Sequence, residues 1–398
     1  MKSIRKRIVF YILIVYIDIL VIEAVSQILF FAHKGHFLFQ QRPSEVFNVR
    51  DFSDVTNDAR GFTAIPNYIN PNYESWVSWF DSFRFRSWFL SFDSFGFRRG
   101  KQIESSSSQS NVVFIGDSVP FGWGVSDNSS LPSQFFERLQ ENSLSYGVVN
   151  AALPSYALAQ AVARYEQEVH GRMAVDTVYL QIYDPASQLA VRGSRWQPSD
   201  NWMNYPYVSK SFLSRHSAAI VIAQAFASRL NINLSGAQSQ VEIFDPNDAA
   251  TTRRVHVHVR AELKRLLALS KTDGVRRLIV APITIPAQSL DGYYSRSRQA
   301  AIELVNQDLR GFANSYSSDV IFVDTISLLR RYPDADVFID RCCHLSERGN
   351  DIVADYLMTL LLDSGHFPQK RTAGPTLSHF GRGVIGSAAP AANSPMKP

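Results

Sequence analysis

From residue 110 onward, short β-branched runs alternate with longer amphipathic stretches, and this alternation constrains the fold more than any other feature. The runs are Val112–Ile115, Tyr146–Val149, Thr177–Ile182, Arg277–Val280 and Val320–Val323. Helical spacing of apolar residues fills the gaps over Leu131–Gln140, Ala157–Val169, Thr251–Ser270 and Ser297–Ala313, and returns over Arg348–Leu362. Strands that alternate with helices predict an α/β domain whose parallel sheet is covered on both faces. Such sheets bind ligands at the carboxyl ends of their strands, so chemistry is expected just after one of the five runs.

The flanks read differently. Ser105 to Ser110 is a serine-rich linker, which sets the expected domain at residues 110–366. Residues 33–109 read as an irregular, aromatic-rich stem and lead-in, densest in WVSWFDSFRFRSWFLSFDSFGFRRG. Those aromatics are expected to pack on the main domain or at a membrane interface. Residues 367–398 lack periodicity and read as a disordered tail.

Residues 8–32 form an apolar run whose only charges are Asp18 and Glu23. About 20 apolar residues suffice to cross a bilayer as a helix. A mid-span acid costs roughly 2.5–3.5 kcal/mol, and each Ile, Leu, Val or Phe returns about 0.3–0.6 kcal/mol, so the many apolar residues offset the two acids. One transmembrane helix is therefore expected before the domain. Lys2, Arg5, Lys6 and Arg7 in the basic segment 1–7 place the N-terminus in the cytoplasm and the domain outside, periplasmic in a Gram-negative cell. A signal peptide cleaved near Ala24-Val25-Ser26 is the competing reading, although the apolar run continues well past that point.

A formal charge of +4 over 398 residues is too small and too scattered for a nucleic-acid partner. The two cysteines, Cys342 and Cys343, are adjacent, so they cannot staple distant elements and the domain must stand on its core.

The chemistry gathers in two phrases. In VVFIGDSVPFGWGV, Gly116-Asp117-Ser118 follows directly on a strand, which sets Ser118 on a tight turn at the sheet's carboxyl edge. That placement exposes the hydroxyl and brings its own N–H beside a developing oxyanion. The tripeptide alone is weak, since chance supplies it in about one chain in ten of this length. Pro120 stands where a G-x-S-x-G elbow has its second glycine, so this is a different turn. In FIDRCCHLSERGNDIVADYL, His344 precedes the last helical stretch with Asp340 four residues before it. A serine nucleophile needs a base, and the base an orienting acid; this one loop can supply both. Alone, such a pair is ordinary surface or capping chemistry.

These phrases resemble the GDSL/SGNH hydrolases, particularly bacterial membrane-anchored ones. The resemblance runs through VVFIGDSVPFGWGV, VVNAALPSYALAQ, VYLQIYDPAS and DRCCHLSERGNDIVA, with TNDARGF and Phe95-Gly96-Phe97-Arg98 similar to that group's lead-in. It implies a three-layer αβα flavodoxin-like fold and ester hydrolysis or acyl transfer without metal or organic cofactor. It assigns Ser118 as nucleophile, His344 as base and Asp340 as acid, with oxyanion donors at Ser118 and Ser155. The chain departs from the family at three places. Ser155 stands for a glycine, Tyr183 replaces the asparagine of the third block, and Asp340 lies one residue farther from the histidine than usual. Losing one oxyanion donor typically costs about 10²–10³ in rate. Tyr183 through its hydroxyl, or Gln181 from the same strand face, are the substitute donors.

Other candidates have blander readings. His256 and His258 lack a third ligand at metal spacing, Cys342 and Cys343 read as packing residues, and Asp117 reads as a turn former. The expected function is a membrane-anchored serine esterase acting on ester-bearing envelope or exported glycans, or on lipids. A polysaccharide O-acyltransferase using the same site, and a non-catalytic assembly subunit, stand as alternatives; the oligomeric state is open.

Overall fold

The computed structural model describes residues 2–34, 52–55, 60, 62–78, 83–101, 110–154, 156–182, 219, 248–287 and 296–367. Helix α1 spans Lys2–Lys34. Strands β1 (Ser53–Val55) and β2 (Phe62–Ala64) pair antiparallel, as do β3 (Ile69–Ser78) and β4 (Phe83–Ser91). The main sheet holds β5 (Asn111–Gly116), β6 (Gly147–Asn150), β7 (Val175–Gln181), β8 (Arg277–Ala281) and β9 (Val320–Phe322). Its order is β6-β5-β7-β8-β9 and every pairing in it is parallel. Numbered within the sheet this is 2-1-3-4-5, the order whose switch point lies beside its first strand.

The sequence runs and the strands coincide to within two residues, because each run buries both faces. Along β5, Val113 and Ile115 join one apolar cluster while Val112 and Phe114 join the other. This is the period-two alternation of a strand between two layers. On the first face lie α4 (Leu158–Arg164), α5 (Ala249–Thr272) and α6 (Arg296–Ser315), through residues such as Val162, Leu263 and Leu309. On the second lie α3 (Leu131–Glu141) and α9 (Glu347–Asp363), through Phe135, Leu139, Val353 and Leu357. The short helices α2 (Ser118–Phe121), α7 (Thr325–Leu329) and α8 (Asp334–Val337) complete the described elements.

The segment before residue 110 departs from the irregular stem read in the sequence. It forms two hairpins, and Phe52, Trp88, Leu90, Phe92 and Phe97 are buried in the same cluster as Val113 and Ile115. Phe52 stacks on Phe121 with ring centroids 5.7 Å apart. Two fully buried arginines tie this segment to the sheet domain: Arg98 to Asp127 at 2.8 Å, and Arg164 to the Gly96 carbonyl at 2.7 Å. The described residues on either side of the serine-rich linker share one core, and most of the linker lies outside the described residues.

At the other end, Phe367 belongs to the fold and not to a tail. It is fully buried, with its ring 4.8 Å from Tyr146. Its neighbour His366 bonds Asp176 through Nε2 at 2.7 Å. The tail expected over 367–398 otherwise lies outside the described residues, as do most of residues 35–61.

Among the described residues, no helix is long and apolar enough to cross a membrane. The side chains of Ile8, Val9, Ile12 and Phe30, all within the expected span, lie outside the described set. The described apolar side chains of α1, among them Phe10, Leu13, Val15, Ile19, Val21 and Ile28, are exposed around the helix.

Candidate active site

The turn that carries Ser118 is dictated by a glycine. Gly116 ends β5 with φ +136°, and a Cβ there would sit 1.8 Å from the Gln181 carbonyl oxygen of the neighbouring strand. Only glycine fits such a close backbone approach at positive φ. The chain then turns at Asp117, whose Oδ1 accepts the Val119 N–H at 3.0 Å and caps α2. Ser118 is the first residue of that short helix, half-buried at the carboxyl end of β5. Asp117 is thus the turn former read from the sequence. Its other oxygen, Oδ2, is buried without a hydrogen-bond partner among the described residues.

The second phrase arrives from the far end of the chain. Phe338 and Leu345 pair as an isolated bridge, and the Ile339 N–H donates to the His344 carbonyl at 2.9 Å, closing a tight loop between them. Within the loop, Asp340 Oδ1 accepts the backbone N–H groups of Cys342, Cys343 and His344 at 3.0, 3.0 and 3.2 Å. These bonds absorb the extra residue between acid and base that sets this chain apart from the family pattern. Asp340 Oδ2 is left to bond His344 Nδ1. The imidazole's other nitrogen, Nε2, lies 2.9 Å from Ser118 Oγ. Three groups separated by up to 226 residues thus stand in the order hydroxyl, imidazole, carboxylate.

Electrostatics follow from burial. Burial alone would lower the His344 pKa, but the charge and hydrogen bond of Asp340, helped by Cys342 and Asp117, override it and raise it to about 9. Asp340 is pushed up by burial and pulled further down by His344 and the loop N–H groups, ending below the usual carboxylate range. Asp117 is raised to about 7, chiefly by burial, with its Val119 bond and His344 opposing. The Trp123 ring lies 6.3 Å from the imidazole and also packs edge-on against Trp88, so the hairpin segment reaches the site.

The expected oxyanion donors fare unequally. Ser155 and Tyr183 lie outside the described residues. Gln181 is placed, and its amide is committed elsewhere: Nε2 donates to the Pro282 carbonyl at 2.9 Å and Oε1 accepts the Tyr179 hydroxyl at 3.1 Å. It is fully buried and serves to join β7 to the residue following β8, which corrects its reading as a substitute donor.

Sequence reasoning gave Arg98 no role, yet it underpins the nucleophile loop. Its Nη1 donates to the carbonyls of Phe121 and Gly122 and its Nη2 to that of Val125, each at 2.6 Å. Its backbone N–H donates to Asn150 O, while Asn150 Nδ2 also donates to the Phe121 carbonyl. Gly122, with φ +85°, would carry a Cβ 2.9 Å from Arg98 Nη1. An arginine beside Phe95-Gly96-Phe97 was the available signal, but its three carbonyl partners belong to a turn that composition does not disclose.

One trio among the described residues could share an ion: Cys342, Cys343 and His344 have donor atoms within 4.8 Å of one another. Both imidazole nitrogens of His344 are already engaged by Ser118 and Asp340. The two other helix histidines do not converge. His256 bonds Asp308 at 2.6 Å, while burial lowers the pKa of His258.

No family model matches the chain, and no curated protein does either. Among solved structures, the chain is similar to Axe2, an acetylxylan esterase from Geobacillus stearothermophilus, at 16% identity and a TM-score of 0.39, covering 65% of this chain and 95% of that one. It is similar to LAE5, an alpha/beta hydrolase from the metagenome of Lake Arreo, at 14% identity and a TM-score of 0.39, covering 65% and 97%. A member of the lipolytic G-D-S-L family from Veillonella parvula is similar at 13% identity and a TM-score of 0.37, covering 64% and 98%.

Proposed function

We propose that the chain is a serine hydrolase of the GDSL/SGNH type that cleaves carboxylic esters through an acyl-enzyme. The observation that carries this is the Ser118 Oγ to His344 Nε2 distance of 2.9 Å with Asp340 on the opposite ring nitrogen. Ser118 attacks the ester carbonyl carbon while His344 Nε2 takes the hydroxyl proton. The same imidazolium protonates the leaving alkoxide, and water, activated in turn by His344, releases the acid and frees the serine. Asp340 holds the ring with Nε2 facing the serine and stabilises the imidazolium. The N–H groups of Ser118 and Ser155 are the proposed oxyanion donors, joined by the Tyr183 hydroxyl.

The proposed substrates are ester groups, O-acetyl among them, on envelope or exported glycans or lipids, reached by a domain held at the outer face of the membrane through residues 8–32. The described apolar side chains exposed around α1 support the anchor, because such a surface is more stable against other apolar matter than in water. Gln27 Nε2 donates to Glu23 Oε1 at 2.7 Å, which partly satisfies one of the two acids in that stretch.

The test is labelling of the full chain, in detergent or in membranes, by a serine-directed fluorophosphonate, together with turnover of short-chain p-nitrophenyl esters. Both activities should vanish in Ser118→Ala. A folded wild type that neither labels nor turns over would refute the proposal. Adding a glycan acceptor to the ester assay separates hydrolysis from transfer, since only transfer leaves the acyl group on the glycan.

A further inference from the structure

The phrase TNDARGF stands well before the sheet and takes no part in the mechanism, yet its Arg60 is tied to the loop that follows β6 by two separate threads. The first is ionic. Glu168 Oε1 accepts Arg60 Nη1 and, at 2.7 Å, the Thr63 hydroxyl, while its Oε2 accepts Arg164 Nε at 2.7 Å. The Arg164 side chain is fully buried, and its Nη1 continues to the Ala152 carbonyl at 3.3 Å. The second thread is a single amide. Gln160, 5% exposed, donates from Nε2 to the Arg60 carbonyl at 2.7 Å and accepts the Ala157 N–H on Oε1 at 3.0 Å.

Ala152 and Ala157 lie toward the two ends of the loop between β6 and α4. Midway between the threads, the Leu153 N–H donates to the Gly116 carbonyl at 3.1 Å, which bonds the loop to the turn that carries Ser118. Residue 155, whose N–H is a proposed oxyanion donor, falls inside this stretch. An oxyanion donor works by being fixed before the charge develops, so whatever holds this loop bears on the rate.

We propose that Gln160 is a positioning residue for the oxyanion loop, its one amide locking the far end of the loop to the segment before the sheet. The effect on rate rests on the role of Ser155 proposed above; the tie between Arg60 and the loop does not. A plain helix cap is the competing role, because Gln160 is the third residue of α4 and a Gln or Glu there commonly bonds back to the N–H before the helix. Glutamate separates the two roles. It keeps an acceptor for the Ala157 N–H, but an ionised carboxylate has no donor and sets an oxygen against the Arg60 carbonyl.

The test uses the full chain in detergent at pH 8, as wild type, Gln160→Glu, Gln160→Leu and Arg60→Met. Turnover of p-nitrophenyl acetate is measured beside backbone amide exchange over residues 151–157 and 340–346. Both Gln160 variants should lose at least about tenfold in kcat, toward the roughly 10²–10³ of a missing oxyanion donor, with KM within about twofold. Amides in 151–157 should exchange faster while those in 340–346 keep wild-type rates. Arg60→Met, which removes the cation from Glu168 Oε1 and keeps the main-chain carbonyl, should move both readings the same way by less. If Gln160→Leu does not fold, Gln160→Glu and Arg60→Met carry the test. Wild-type exchange over 151–157 in Gln160→Glu overturns the inference and leaves Gln160 a helix cap. Faster exchange in both stretches alike, or faster exchange in 151–157 with unchanged kcat, overturns it too. If the wild type turns over no ester while Gln160→Glu still speeds exchange in 151–157 alone, the hydrolase reading has failed and the tie between Arg60 and the loop stands.

Discussion

Replacing Arg98 with methionine tests whether the segment before the sheet belongs to the catalytic unit. The Arg98 side chain has no exposure and that of Asp127 has 5%. Burial draws both toward their neutral forms, Asp127 upward and Arg98 downward, against their mutual attraction. A guanidinium does not lose its proton in proteins, so Arg98 remains the charged partner. Removing it leaves Asp127 with the Ser91 hydroxyl at 2.6 Å but without its cation, and strips three loop carbonyls of a charged donor. Breaking a buried pair from one side costs about 3–5 kcal/mol. That is a large part of the 5–15 kcal/mol typical of a domain, yet leaves a fold to measure.

The pH dependence gives the sharper reading. In Arg98→Met the Asp127 pKa rises further above its unfolded value. The folded variant then prefers the protonated acid, and the deficit should shrink as pH falls through that raised pKa. Urea unfolding of wild type and variant at pH 8 and pH 5 should show the larger gap at pH 8. Because the freed carbonyls border the turn that aims Ser118, acylation by a p-nitrophenyl ester should also slow by about 10². A loss under about 1 kcal/mol at pH 8, or one equal at both pH values, would refute the argument.

Four further outcomes are expected. The acylation rate should rise with pH toward an inflection near pH 9, because His344 acts only when unprotonated and its pKa is raised to about 9. Asp117→Asn should shift that inflection downward, since Asp117 helps to raise it; stopped-flow measurement of the ester burst from pH 6 to 10 reads both. Asp340→Asn should keep the fold and lower kcat by about 10⁴, as loss of the orienting acid does in serine triads, and an effect under tenfold would remove Asp340 from its role. Gly116→Ala should destabilise by more than the 1–3 kcal/mol of backbone strain alone, because its Cβ also meets the Gln181 carbonyl at 1.8 Å; thermal unfolding measures the loss.

What could be read from the sequence was whatever is local. Each strand of the main sheet is buried on both sides, so its apolar run is continuous and its position is visible. Ser118 was legible because it stands at the end of such a run and His344 because it precedes the last helical stretch, each inside a phrase short enough to fix its own turn. The strand pairs before residue 110 escaped notice because aromatic residues occupy both faces of β4. At Trp88 and Leu90 the buried face alternates with exposed Phe89, but all three are apolar and the period is hidden. Gln181 shows the other limit. The Pro282 carbonyl that claims its amide comes from residues about a hundred positions away.

The distance in sequence between Ser118 and His344 also has a consequence for a chain made from its N-terminus. At roughly 5–20 residues per second, the 226 residues between them take on the order of 10 to 45 seconds to synthesise. Throughout that interval the serine has emerged without its base, and α9 is not yet made. A nascent chain therefore lacks the proposed Ser118–His344–Asp340 arrangement, which forms in one step when the last loop closes.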